Sequence, residues 1–193
     1  MDFQLSRAKK TVVRMMSDRG YLPLKRLPDP KGSSSREPIC WEFENEQQKK
    51  ANVFWNLDRS ESKMPFIQYV FEVAVMDKLE QVVIVVDKGL VSKGKNTVSS
   101  MSENVDMTVF EVSDLQVITP DHVDVPPHKK LSEKKKRETL EKYGVELDKC
   151  PKILKDDPVV KWYGWNCGDL IKILQPGEGN FGPSVNYRVV CLD

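Results

Sequence analysis

The stretch DDPVVKWYGWNCGDLIKILQPGEGNFGPSVNYRVV, residues 156–190, carries the densest set of structural signals in the chain. Asp157 favours a helix start, because its side chain can accept backbone N–H groups of the first turn. Pro158 suits the first helical position, where no intrahelical hydrogen bond is lost. Gly164 is the residue type that most often ends a helix in the left-handed conformation. The sequence therefore predicts a short helix, PVVKWY.

A β-hairpin is predicted directly after this helix. Gly168 indicates a turn, and it is followed by two segments rich in β-branched and aliphatic residues, DLIKIL at 169–174 and VNYRVV at 185–190. Prolines and glycines fill the segment between them, so we expect a long turn and antiparallel strands. A short helix followed by a hairpin makes a small α+β unit.

The glycines of this turn resemble a phosphate-binding loop only in their spacing. Gly177, Gly179 and Gly182 match G-x-G-x-x-G, but the segment that follows is a predicted strand and not a helix whose N-terminus could hold a pyrophosphate. A Walker loop would also need Lys followed by Ser or Thr, which this loop lacks. We interpret it as a hairpin connection.

The N-terminal part of the chain begins with a predicted amphipathic helix and a hairpin. Residues 3–19 place apolar side chains three or four residues apart, and Gly20 follows as a helix end. Residues 39–43 and 52–56 are short β-type runs separated by a polar segment, which indicates two paired strands.

A second helix and a buried strand come next. Residues 66–80 have helical spacing, and the β-branched run at 81–87 is apolar on both faces, as in a strand covered on two sides. We expect a basic, Gly-containing turn and a weak helix at 88–101, then strands at 107–112 and 115–119. This succession predicts an α/β layered domain.

A linker is predicted between two domains. Residues 120–130 contain three prolines and two histidines without a periodic pattern. Ser132 then suits the N-cap of a helix that Gly144 ends. We therefore predict an N-terminal domain at 1–119 and a C-terminal domain at 131–193.

Composition argues against several classes of function. The chain has 30 basic and 29 acidic residues, distributed evenly along it, so it is not a bulk polyelectrolyte that binds nucleic acid or membranes by charge alone. The apolar runs are too short to span a bilayer. Four scattered cysteines do not form a disulfide or zinc pattern, and His122 and His128 lie in the predicted linker, where no element holds them together as metal ligands. No catalytic residue, metal, cofactor or small-molecule substrate is predicted.

The frame D-P-V-V-x-x-Y-G-x-x-x-G-D-L-I-K-I-x-x-P-x-E…V-x-Y-R-V-V resembles the C-terminal domain of the fifth subunit shared by nuclear RNA polymerases I, II and III, a family with an archaeal counterpart. The resemblance continues upstream, in order, through four further segments. These are CPKI at 150–153, VPPH at 125–128, RAKKTVVRMMSDRGY at 7–21 and VVIVVDKG at 82–89.

This resemblance implies a non-catalytic polymerase subunit with a nuclease-like layered α/β jaw domain and a small α+β assembly domain. The assembly domain is expected to dock on the largest subunit, beside neighbouring small subunits, and the jaw to lie near downstream duplex DNA without sequence preference. The implied location is the nucleus, or a viral factory or virion, since the chain resembles a diverged cellular paralogue or a viral member. The docking candidates are Asp157, Pro158, Tyr163, Lys172, Pro176, Glu178, Tyr187 and Arg188.

Two segments depart from the family pattern. The jaw motif TPSAK is replaced by VSKGK at 91–95, which leaves Ser92, Lys93 and Lys95 as the candidates for contact with DNA phosphates. The family's RPSETAG is replaced by QPGEGNFG at 175–182.

Two other functions remain open from the sequence. The chain could be a free-standing transcription regulator or decoy that occupies the same docking surface. A metal-dependent nuclease is a weaker alternative, for which Asp87 and Lys88 are the only pointers.

Overall fold

The structure is a computed structural model. It describes residues 2–31, 33, 38–58, 64–88, 105–177 and 182–192. The chain divides into two compact units, Met1–Val117 and Ile118–Asp193. The described helices and strands make a mixed α/β protein with one sheet in each unit. Within the described residues, no helix is both long enough and apolar enough to cross a membrane.

The N-terminal unit is built on a five-stranded sheet with strand order β1-β2-β3-β4-β5. Its strands are β1 (Tyr21–Pro23), β2 (Ile39–Asn45), β3 (Lys50–Asn56), β4 (Gln81–Val86) and β5 (Asp106–Glu111). The first three run antiparallel, so the predicted hairpin is confirmed, whereas β3, β4 and β5 run parallel. The three-residue strand β1 was not predicted.

Two helices accompany this sheet, α1 (Asp2–Asp18) and α2 (Met64–Met76). The predicted apolar face of α1 is buried, and Gly20 follows the helix with a φ of 86°. Strand β4 is buried on both faces, as predicted: Val82, Ile84 and Val86 pack in one cluster with α2, while Val83 and Val85 point the other way and are also fully buried. The predicted turn and weak helix at 88–101 lie almost entirely outside the described residues.

The strand predicted at 115–119 is wrong. The chain there forms two 3₁₀ turns, Asp114–Gln116 and Thr119–Asp121. The Asp114 carboxylate accepts the N–H of Glu111 at 2.9 Å, and the Gln116 side chain donates to the carbonyl of Val112 at 2.6 Å. These local hydrogen bonds curl the segment, so that Leu115 is buried in the unit although it belongs to no strand.

The C-terminal unit has a four-stranded sheet with strand order β6-β8-β9-β7. Its strands are β6 (His128–Lys130), β7 (Lys152–Leu154), β8 (Leu170–Gln175) and β9 (Ser184–Cys191). The central pair, β8 and β9, is the predicted antiparallel hairpin. Strand β6 pairs antiparallel with β8, and β7 pairs parallel with β9. Neither of these two short strands was predicted.

Two helices of this unit are capped as the sequence predicts. Helix α3 (Glu133–Tyr143) starts at Ser132, whose hydroxyl accepts the N–H of Lys135, and it ends at Gly144 with a φ of 61°. Helix α4 (Pro158–Tyr163) starts at Asp157 and ends at Gly164 with a φ of 62°.

The segment predicted as a patternless linker has regular structure at both ends. It begins inside the second 3₁₀ turn, and His128–Lys130 forms the edge strand β6. A segment of three residues is too short to show the alternation of a strand, and the prolines before it favoured a loop. The assignment of 1–119 and 131–193 as domains stays a prediction, because compactness alone does not establish that a segment folds independently.

Candidate docking surface of the C-terminal unit

The sheet of the C-terminal unit has a different helix on each face. On one face, Ile171 and Ile173 of β8 and Val190 of β9 cluster with Val159 and Val160 of α4. On the other face, Leu170 and Val189 cluster with Leu131 and Cys150, and Leu140 of α3 packs against them. Both arrangements follow from the alternation of side chains along the two strands.

The predicted docking residues near α4 build the helix. The Asp157 carboxylate accepts the N–H groups of Val159 and Val160 at 2.9 and 3.4 Å. Tyr163 is half-buried, and its ring stacks on that of Trp165 with centroids 4.7 Å apart. Pro158 occupies the first turn of the helix. Asp157 and Tyr163 therefore contribute to the fold of the unit through contacts that are visible here.

The predicted docking residues of the hairpin lie along its two strands and directly after β8. Lys172 and Tyr187 are direct cross-strand partners. Arg188 is exposed, and its guanidinium donates to the carbonyl of Lys152 at 3.1 Å, which ties β9 to β7. Pro176 follows β8 and is exposed. The structure thus brings Lys172 and Tyr187 together and spreads the other candidates over the helix and the hairpin.

Four predicted contact residues lie outside the described residues. They are Ser92, Lys93 and Lys95 of the DNA-contact set and Glu178 of the docking set.

A groove lies between α3 and the exposed part of the hairpin. It has a volume of about 350 Å³, and its walls include Leu140, Tyr143, Val145, Val185 and Tyr187. The rings of Tyr143 and Tyr187 have centroids 5.8 Å apart and are tilted by 53°. Tyr143 is 55% exposed and Val185 is 44% exposed, so large apolar surface remains open to solvent here.

Sequence reasoning identified Tyr187 but missed the other walls of this groove. Leu140 and Tyr143 are three residues apart on α3, which is a helical-face signal, but the charges around them dominate that helix. Val185 lies two residues before Tyr187 in the predicted strand and therefore shares its face, but only the packing of α3 beside the hairpin shows that this face meets Leu140 and Tyr143. The groove is therefore a product of tertiary packing.

The electrostatics of the groove favour neutral and apolar partners at its centre. Burial, and secondly the neighbouring Tyr143, raises the pKa of Tyr187, so its hydroxyl stays protonated at neutral pH. None of the lining residues is acidic, and the side chain of Arg188, the basic one among them, lies on the opposite face of the sheet from Tyr187. The ammonium of Lys142 lies 5.4 Å from the centre of the Tyr143 ring. The groove thus has an apolar floor and a positive rim.

The N-terminal unit holds a separate polar network at the start of its parallel strands. The Tyr21 hydroxyl donates to Glu80 at 2.6 Å, and Lys49 pairs with the same carboxylate. The Arg19 guanidinium donates to the side-chain carbonyl of Gln81 at 3.0 Å. Burial lowers the pKa of Arg19 to about 10, which leaves it charged at neutral pH. These contacts join the end of α1 to the sheet.

The described residues give little support to the nuclease alternative. Among them, no group of three or more His, Cys, Asp or Glu side chains is arranged to hold a metal ion. Asp87 and Lys88 directly follow β4, and the segment after them lies outside the described residues.

Comparison with known proteins points to one family. Residues 117–190 match the family described as RNA polymerase Rpb5, C-terminal domain. The chain is 26% identical to the DNA-directed RNA polymerases I, II, and III subunit RPABC1 of Caenorhabditis briggsae, with 97% of this chain and 96% of that protein covered. It is also 26% identical to the corresponding Dictyostelium discoideum subunit, with 96% of both chains covered. A subunit 5B of RNA polymerases IV and V from Arabidopsis thaliana is 28% identical over 62% of this chain and 53% of that protein.

The family match covers β6 to β9 together with α3 and α4, which is the part of the chain that carries the candidate docking surface. The relatives extend the similarity through the N-terminal unit as well. Residues 117–190 thus match the C-terminal domain of the Rpb5 family, and the chain as a whole is similar to RNA polymerase subunits of that kind.

Proposed function

We propose that this chain is a non-catalytic subunit of a multisubunit DNA-directed RNA polymerase in the eukaryotic nucleus. The observation that carries the proposal is the similarity to named polymerase subunits over nearly the whole length of both chains. These relatives come from cellular eukaryotes, which supports the nucleus and gives no support to a viral factory. A subunit, unlike a recruited regulator, stays bound through purification of the enzyme.

The C-terminal unit is the proposed docking module for the largest subunit, beside neighbouring small subunits. Its groove is lined by apolar and aromatic side chains and contains no carboxylate or imidazole, which supports binding of a polypeptide rather than acid–base chemistry. Lys172, Tyr187 and Arg188 are proposed to meet the partner, because Arg188 is exposed and the side chains of Lys172 and Tyr187 are partly exposed. We retain Pro176 and Glu178 as contacts on the family resemblance.

Asp157, Pro158 and Tyr163 are proposed to act indirectly. The Asp157 carboxylate is engaged with the first turn of α4, and Tyr163 stacks on Trp165. These side chains support the shape of the docking module, so their loss should weaken docking through the stability of the unit.

The N-terminal unit is the proposed jaw domain, with a nuclease-like layered α/β fold, near downstream DNA. Ser92, Lys93 and Lys95 follow the end of the buried strand β4 along the chain, and they are proposed to contact phosphates. Phosphate contacts position a protein on DNA and carry no sequence information directly, so this binding is expected to be independent of sequence.

Affinity purification of the tagged full-length chain from nuclear extract tests the proposal. An integral subunit should elute with the two largest polymerase subunits in equal amounts and should remain bound through a wash at about 0.5 M salt, where weak surface charge contacts are screened. Loss of the large subunits in that wash would instead support a free-standing regulator. Recovery of the chain without any polymerase subunit would refute the proposed function.

A further inference from the structure

Strand β9 has an open backbone edge beside the groove. It extends over eight residues, Ser184–Cys191, but its neighbour β7 pairs only with Val189, Val190 and Cys191. On that side of the sheet, the part of β9 before Val189 has no strand partner among the described residues. An exposed strand edge of this kind is a template for pairing with another chain.

The hydrogen bonds around β9 show which backbone groups point into the open edge. Val189 donates its N–H to Pro151 at 2.8 Å, on the β7 side, whereas Val190 donates to Asp169 at 3.0 Å, on the β8 side. Alternate residues of a strand direct their backbone groups to the same side. Val185 and Tyr187 therefore direct their N–H and C=O groups away from β8, towards the place that an extension of β7 would occupy.

The side chains of the same two residues form a wall of the groove. A residue paired opposite Val185 or Tyr187 would place its own side chain on the same face of the sheet, next to Tyr143 and Val145. The groove of about 350 Å³ leaves room for an apolar side chain at that position. The backbone edge and the apolar pocket are thus adjacent and in register with one another.

The charges around the groove complement an acidic segment. Lys142 lies at the rim of the groove over the Tyr143 ring, and no acidic residue lines the groove. Arg188 contributes to the groove wall, but it alternates with Tyr187 along β9 and stands opposite Ile171, so its side chain lies on the other face of the sheet. Neither Arg188 nor Lys142 has a carboxylate partner among the ion pairs of the described residues. In the added strand, a carboxylate two residues from the inserted apolar residue would share the groove face with Lys142, and a carboxylate directly adjacent to it would share the opposite face with Arg188.

We propose that an extended segment of another polymerase subunit adds a strand to the open edge of β9 at residues 184–188. The segment places an apolar side chain between Tyr143 and Tyr187 and carries acidic residues on either side of it. Main-chain hydrogen bonds to Val185 and Tyr187 supply affinity, and the groove supplies selectivity for the side chain. This inference rests on the proposed function, since the partner segment belongs to the assembled polymerase.

Amide hydrogen exchange tests strand addition directly. The full-length chain is compared alone and within the affinity-purified polymerase, with residue-level readout by mass spectrometry. The amides of Val185 and Tyr187 should exchange roughly 100-fold more slowly in the assembly, because a paired amide must open before it exchanges. The amide of Val189, which is already bonded to Pro151, serves as the internal control and should change little.

The outcomes separate this inference from the proposed function. If the chain purifies with the polymerase but Val185 and Tyr187 exchange as fast as in the free chain, strand addition is wrong and the proposed function stands. If no polymerase subunit is recovered, the proposed function and strand addition are both refuted. A dimer of the free chain in sedimentation equilibrium, with the same two amides protected, would assign the edge to a second copy and overturn the choice of partner.

Matched variants provide a second, independent test. Val185→Pro removes the outward N–H without breaking a β8 bond, whereas Val185→Ala keeps the N–H and shortens the side chain. We expect Val185→Pro to weaken retention in the polymerase about tenfold and Val185→Ala no more than about threefold. Lys142→Glu should also weaken retention, while Lys134→Glu, the same charge change on the far side of α3, should not.

The urea midpoint of each variant shows whether it folds. If Val185→Pro does not fold, the comparison of Lys142→Glu with Lys134→Glu provides the test. Equal retention of Lys142→Glu and Lys134→Glu would then contradict the proposed acidic partner. A folded Val185→Pro variant with native retention would contradict strand addition.

Discussion

Replacing Asp157 by Ala separates a structural role from a direct contact in the docking module. The carboxylate of Asp157 accepts the N–H of Val159 at 2.9 Å and that of Val160 at 3.4 Å, while its backbone carbonyl accepts the N–H of Lys161 at 2.8 Å. Pro158 has no N–H. The side chain therefore satisfies both donors of the first turn of α4 that the backbone leaves without a partner.

The expected loss is at the upper end of the range for a helix cap. Removal of an N-cap side chain costs about 0.5–2 kcal/mol. Val159 and Val160 are 6% and 0% exposed, so water cannot easily replace the lost acceptor, and two donors are affected at once. We therefore expect a loss of about 2 kcal/mol in the unfolding free energy of the C-terminal unit.

Exchange of the Ile171 and Ile173 amides in the full-length chain measures this loss in the C-terminal unit alone. A loss of about 2 kcal/mol corresponds to exchange that is roughly 30-fold faster. Asp157→Asn should stay near the native rate, because the amide oxygen is also a good cap. Asp156→Ala removes the same charge from an exposed neighbouring residue and should have little effect.

Two results would contradict this account of Asp157. Native exchange rates in Asp157→Ala would show that the cap does not stabilise this unit. A variant Asp157→Asn that is as stable as the native chain, yet no longer purifies with the polymerase, would show that Asp157 contacts the partner directly.

Three further predictions concern the jaw, the polar network and the core. Lys93→Ala combined with Lys95→Ala should weaken downstream-DNA association of the assembled enzyme modestly and reduce the slope of log K against log salt by roughly 1–2, with no change in sequence preference; an unchanged slope would exclude phosphate contacts by these lysines. Burial raises the pKa of Glu80, but hydrogen bonds from Lys49 and Tyr21 outweigh burial and leave the pKa below its usual 4.5. The stability that this carboxylate contributes is therefore present above pH 4.5 and is lost as the pH falls through the folded-state pKa. Glu80→Gln should therefore lower stability at neutral pH and flatten the acid-side decline of the urea midpoint, and a decline as steep as in the native chain would contradict the role of this group. Ile171→Ala, at a position that is 0% exposed, should cost about 2–5 kcal/mol of unfolding free energy by calorimetry, whereas Leu174→Ala on the exposed part of the same strand should cost less than about 1 kcal/mol.

Much of the fold could be predicted from signals that act locally in the sequence. The caps at Ser132 and Asp157 and the left-handed glycines at 20, 144 and 164 were predicted because each signal acts within one turn of backbone. The buried strand β4 was recognised from its β-branched run, since apolar side chains on both faces require cover on both faces. Leu115 shows the limit of this reasoning. Its β-type neighbours favoured a strand, but the hydrogen bond that Asp114 accepts from Glu111 and the one that Gln116 donates to Val112 hold the segment in a turn instead.

The candidate docking surface divides in the same way. The helix start at Asp157 and the strand with Tyr187 and Arg188 were predicted from the sequence. The resemblance to the family rests on these same segments. The groove was not predicted, because Tyr143 and Val185 are distant in the chain and come to line one groove only when α3 packs beside the hairpin.

The amino-acid sequence was enough to predict the longer helices and strands of this protein, its near-neutral charge and its resemblance to a family of polymerase subunits. The three-residue strands β1, β6 and β7 depend instead on tertiary packing, because strands this short are held by their partners and not by their own propensity. Packing also makes β7 shorter than β9. That difference in length leaves the edge at Val185 and Tyr187 open, since backbone hydrogen bonds form only where a neighbouring strand is present.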